Sequence, residues 1–167
     1  MLKYCIPVIS QVFNIFKTDN QATTDMLKLL ILLRPYAKYL LSAWLVTIII
    51  VSSTPNITVP KIHTAGTVIR LDYLIHFLEY GLLTGLSFLT FAGERFIIGF
   101  RRMAALTAIL ILFAVLDEYH QKLIPGRTFN PIDLYCNIAG IIAGVMISVV
   151  LFRMISRKRM VEITETV

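Results

Sequence analysis

Four apolar runs constrain this chain more than any other feature, because each is long enough to cross a lipid bilayer. They cover residues 36–53, 72–92, 102–119 and 133–152, against the roughly 20 residues that a helix needs to span the hydrocarbon core. Lipid offers no hydrogen-bond partners, so a spanning segment must satisfy its own backbone, and single runs of this length do so as helices. Composition supports this: 16% of residues are charged, where a soluble domain carries about 25%. The expectation is an all-α membrane protein built as a four-helix transmembrane bundle. Thr54-Pro55-Asn56, Gly93-Glu94-Arg95 and Pro125-Gly126 punctuate the runs, as turn and breaker residues do. The short link around Pro125 makes the last two helices antiparallel neighbours.

Three regions follow: residues 1–35 as an N-terminal cytoplasmic or interfacial segment, 36–153 as the transmembrane domain, and 154–167 as a basic tail. Residues 3–16 are apolar but broken by Pro7, which suits an interfacial helix. Met26 opens a sequence that reads as a second translation start, and no small-x-small cleavage pattern follows the first run, so that run is read as uncleaved. The net charge of +6 does not indicate nucleic acid, because Lys and Arg sit at the ends of the apolar runs rather than along one face. They gather at the N-terminal flank (Lys3, Lys17, Lys28, Arg34, Lys38), after the second run (Arg95, Arg101, Arg102) and after the fourth (Arg153, Arg157, Lys158, Arg159). The positive-inside rule then makes this a multi-pass protein of the cell membrane with both termini cytoplasmic. The two cysteines form no framework, and Cys136 reads as a small packing residue.

Against this apolar background, polar residues are costly and tend to mark function. One cluster holds Asp117, Glu118, His120, Gln121, Arg127, Asp133 and Asn137; a second holds Asp72, His76, Glu79 and Tyr80. The deduced topology puts both at the outer face. Asp72, His76 and Glu79 fall at i, i+4, i+7, on one helical face, and Asp117 and Gln121 at i, i+4 with His120 nearly aligned. Asp133, Asn137, Gly140 and Gly144 form a stripe that begins polar and becomes small. Its GxxxG end permits close helix approach, either inside the bundle or between copies of the chain.

Each of these residues also has a plainer role. Asp133 follows Asn130-Pro131 and can cap the fourth helix. Arg127 can extend toward lipid headgroups, and Asn137 can bond across helices. The histidines lack a second His at helical spacing and there is no HExxH, so neither a metal nor another cofactor is expected. A Ser–His–Asp triad is disfavoured too. None of Ser42, Ser52, Ser53, Ser87 and Ser148 stands within a helical turn of a His or an acid.

The pattern Asp72-x3-His76-Phe77-x2-Tyr80-x2-Leu83, then Asp117-Glu118-x-His120-Gln121-x3-Pro125-Gly126-Arg127, then Asp133-x3-Asn137-x2-Gly140-x3-Gly144 resembles the VanZ-like family of small bacterial membrane proteins. The resemblance covers about residues 54–151, and the first run matches in position and character only. It implies four membrane helices, a site facing the cell wall, and a link to resistance against teicoplanin-type glycopeptide antibiotics. It implies no agreed reaction.

Three functions are then open. The outward site can bind an anionic headgroup, such as a lipid-linked wall precursor, with Arg127 gripping phosphate bidentately and Asp72, His76, Tyr80, Gln121, Asp133 and Asn137 lining it. It can instead belong to an enzyme acting on a lipid-linked substrate, with Glu118 or Asp117 as general base and His120 as acid. A proton-coupled carrier is the third, weakened because the ionisable groups gather at one end.

Overall fold

The computed structural model describes residues 20–55, 61–64, 67–93 and 96–165. The apolar stretch 3–16, expected as an interfacial helix, lies outside them. The chain divides into two units between Arg34 and Pro35. The described part of the first is helix α1 (Asn20–Leu33), where Lys28 pairs with Asp25 at 3.6 Å on an exposed surface. A short helical turn, Arg34–Tyr36, contains the division.

The second unit contains α2 (Ala37–Ser53), strands β1 (Lys61–Thr64) and β2 (Thr67–Arg70), and helices α3 (Leu71–Phe91), α4 (Phe100–Gln121) and α5 (Pro131–Glu165). The four helices fall where the apolar runs stand. Three segments, Lys28–Ser53, Leu71–Phe91 and Pro131–Ser156, are long and apolar enough to cross a membrane. α4 is not one of them; Arg101 and Arg102 open it, and Asp117 and Glu118 lie near its end.

Two features depart from the expected fold. The link between α2 and α3 carries an antiparallel hairpin pairing Lys61 with Arg70 and Thr64 with Thr67, so the chain is not wholly helical. Its strands, KIHT and TVIR, are rich in β-branched residues, whose side chains suit a pleated ribbon. The last helix also does not stop at residue 152. α5 continues to Glu165 over 35 residues, about 52 Å at the helical rise of about 1.5 Å per residue, and so overhangs any bilayer core of about 30 Å.

α3 and α5 make the most extensive helix contact in the unit. A Cβ added at Gly140 would overlap the carbonyl oxygen of Phe77, with Phe77 C at 3.0 Å and Gly81 N at 3.1 Å. One added at Gly144 would meet Thr84 Cβ at 2.7 Å and Gly81 O at 2.8 Å. The glycine stripe is therefore used within the chain, and an oligomer must use another face. Around this contact Ile48, Tyr80, Leu83, Leu110, Ala114 and Ile141 form the core. The outer faces stay apolar and exposed, as at Leu78, Ile109, Leu112, Met146 and Ile147. A bundle apolar inside and out is suited to lipid.

Candidate functional site

At one end of the bundle, where α2 and α4 finish and α3 and α5 begin, the two polar clusters meet. The local chemistry that brings them there starts with the α4–α5 link. Arg127 N–H donates to Ile124 O at 3.1 Å, closing a turn with Pro125 and Gly126 at its centre. Gly126 has φ 78°, a left-handed value that the third residue of a type II turn requires and that glycine adopts without strain. Asn130 then caps α5. Its side-chain oxygen accepts the Ile132 N–H at 3.1 Å, its carbonyl accepts Asp133 N–H at 3.1 Å, and Pro131 takes the first helical position. Asp133 is thus not the capping residue, and its carboxylate turns to α3.

Three contacts join the elements. His76 Nε2 lies 3.9 Å from Asp133 Oδ2, with both side chains mostly covered. Tyr80 donates its hydroxyl to Asp117 Oδ2 at 2.9 Å in a buried bond between α3 and α4. Asn130 N–H donates to Glu118 Oε1 at 2.9 Å. Glu118 lies within electrostatic reach of Asp133, Asp117 and Arg127, and Glu79 within reach of Asp117 and Arg127. Asp72, in the first turn of α3, accepts the Tyr73 N–H with Oδ1 at 3.1 Å.

The centre of this cluster is short of partners. Glu118 and Asn137 are both 0% exposed. Glu118 Oε2, both Asn137 amide atoms and His76 Nδ1 are buried without a hydrogen bond among the described residues. Each such group costs roughly 1–3 kcal/mol when left unmet. Buried polar atoms of both kinds, acceptor and donor, can receive a hydroxyl or an amide.

The rim behaves differently. Arg127 directs Nε to Thr54 O at 3.1 Å and one terminal nitrogen to Val51 O at 2.9 Å, while the other meets Gln121 Oε1 at 2.9 Å. The guanidinium thus covers the carbonyl end of α2, where the helix dipole favours a cation. These bonds engage all three guanidinium nitrogens with groups of the chain itself. Gln121 is buried as its partner. His120 is exposed and separate from the buried carboxylates; its Nε2 lies 3.0 Å from Ser53 Oγ. The one-helix spacing that argued against a Ser–His pair is overturned here, since the pair forms between α2 and α4. Ser53, Thr54 and Asn130 are not singled out as site residues by the sequence. Of these, Asn130 carried a readable signal, an Asn directly before a helix-starting Pro. Among the described residues no group of three or more His, Cys, Asp or Glu could hold a metal ion.

Fold and site together define a small helical protein with membrane-length segments and a buried carboxylate–amide cluster at one bundle end. The chain belongs to the VanZ/LLP1 family, whose family model matches residues 3–153. The match reaches well N-terminal of residue 54, where the motif-level resemblance begins. Among curated proteins and among solved structures, no match to the chain is found.

Proposed function

We propose that this protein sits in the bacterial cytoplasmic membrane with both termini inside, α4 serving as a fourth crossing, and its polar cluster on the outer face. There it binds the headgroup of a lipid-linked cell-wall precursor, and by doing so contributes to resistance against teicoplanin-type glycopeptides. The observation that carries this reading is Asn137, fully buried with neither amide end bonded, in a cluster that also leaves Glu118 Oε2 without a partner. An amide, a carboxylate and an imidazole suit the hydroxyl and amide groups of a sugar headgroup better than a bare phosphate, and Arg127 is held at the end of α2. Entry falls to the edge formed by His76 and Asp133, whose side chains keep only 14% and 12% exposure, with the α4–α5 link moving to release Glu118 from Asn130.

The test is teicoplanin susceptibility in a sensitive host expressing the wild-type chain or Asn137→Leu at matched membrane levels. Leucine fills the amide's volume without its unmet polarity, so the variant folds while binding is lost. Protection by the wild type alone is expected. Equal protection by both, or by neither, refutes the reading.

One contact favours a second reading, an enzyme acting on a lipid-linked substrate. Ser53 Oγ and His120 Nε2 stand at the 3.0 Å separation of a nucleophile and its base. On that reading Ser53→Ala abolishes protection while Asn137→Leu weakens it.

A further inference from the structure

At the opposite end of the bundle, a groove of about 570 Å³ opens between the end of α3, the start of α4 and the second half of α5. That volume falls in the range of about 300–1,000 Å³ typical of small-molecule sites. Its floor is apolar: Phe88, Met103, Val149 and Phe152 contribute to it, with Phe96 closing one side. Phe96 is held with φ 54°, a left-handed backbone that costs a non-glycine residue about 1–2 kcal/mol. It is 2% exposed, and its ring packs edge-on against Phe152 at 5.5 Å. The wall is thus a fixed part of the fold.

The lining is graded. Val149, Phe152, Arg153 and Ser156 recur at helical spacing along one face of α5, so the groove passes from apolar side chains to a guanidinium and a hydroxyl toward the helix end. Among the described residues no acidic side chain lines it. Arg101 and Arg102 are exposed beside Phe100, which contributes to the same mouth. An occupant must be apolar at one end and anionic at the other.

We propose that this groove is a binding site for one anionic phospholipid, with an acyl chain along Phe88, Val149 and Phe152 and the phosphate at Arg153. A second copy of the chain would not match the gradient, since it would have to bring both an apolar edge and a negative charge to one narrow cleft. The site is independent of the polar cluster at the other end, and its failure leaves the proposed function untouched.

The test is native mass spectrometry of the full chain released from detergent after incubation with phosphatidylglycerol or phosphatidylcholine of identical acyl chains. The wild type is expected to retain one phosphatidylglycerol with about fivefold preference, the effect of about one charge contact near the membrane surface. Arg153→Gln changes an exposed side chain and is expected to abolish the preference, lowering phosphatidylglycerol retention more than that of phosphatidylcholine, whose choline offsets its phosphate charge. Val149→Trp fills the groove and is expected to reduce retention of both lipids, at an unchanged melting temperature. Equal retention of the two lipids by the wild type overturns the proposal, as does a preference that survives Arg153→Gln. A dimer in place of a lipid adduct overturns it as well and assigns the groove to a second copy.

Discussion

Replacing Gly140 with alanine places a methyl group against backbone that cannot rotate away. The new Cβ would overlap the Phe77 carbonyl oxygen and sit 3.0 Å from Phe77 C and 3.1 Å from Gly81 N. Ordinary carbon contacts lie at about 3.5–4.0 Å, so α3 and α5 must part by at least roughly half an ångström. Overpacking of this kind costs about 1–3 kcal/mol. Against it stands the helix preference of alanine over glycine, about 1 kcal/mol, which would blur a measurement on one variant. Gly85 removes that ambiguity: it lies in α3, and a Cβ there meets nothing within 4 Å. Reversible unfolding in mixed micelles should therefore separate Gly140→Ala from Gly85→Ala by about 1–3 kcal/mol, with the propensity gain cancelling. The same displacement parts His76 from Asp133, already 3.9 Å apart, so Gly140→Ala should also lose protection in the susceptibility assay. If the two variants unfold within about 0.5 kcal/mol of each other, the close helix contact is not what holds this pair together.

Arg127→Lys keeps the charge but cannot reach Val51 O, Thr54 O and Gln121 at once. Hydrogen bonds to charged groups contribute about 1.5–3 kcal/mol, so amide exchange in the last turn of α2 should accelerate about tenfold or more; unchanged exchange there would mean the guanidinium does not secure that end. Tyr80→Phe and Asp117→Asn, combined in a double-mutant cycle, should show coupling of about 0.5–2 kcal/mol, the scale of interhelical bonds in membranes, and additive effects would remove this bond from the account. A cysteine at Ile124 should react with an impermeant reagent on intact cells and one at Gly99 should not, while the reverse pattern inverts the proposed topology.

The helices were legible in the sequence because hydropathy reports lipid contact directly, and α2 and α3 fall within a residue or two of the runs that announced them. The end of α5 was not, since apolarity marks where lipid stops rather than where a helix stops. Met154 to Glu165 includes residues with good helix propensity, and the backbone continues through them. The hairpin was missed although β-branched residues flank Ala65-Gly66, a pattern a strand reading would have caught. At the site, shared faces on single helices identified His76, Asp117, Asp133 and Asn137, because spacing within one helix is a local property. Contacts between helices are not local. Neither the pairing of His120 with Ser53 nor the attachment of Arg127 to α2 can be inferred from intervals along the chain.

Asn130 has two duties that cannot be performed separately. Its side chain starts α5, and its N–H holds the one oxygen of Glu118 that has a partner. Any movement of the link that frees Glu118 also loosens the first turn of α5, which carries Asp133. Freeing the Glu118 carboxylate and fraying the start of α5, the longest of the described helices, are therefore a single cooperative event.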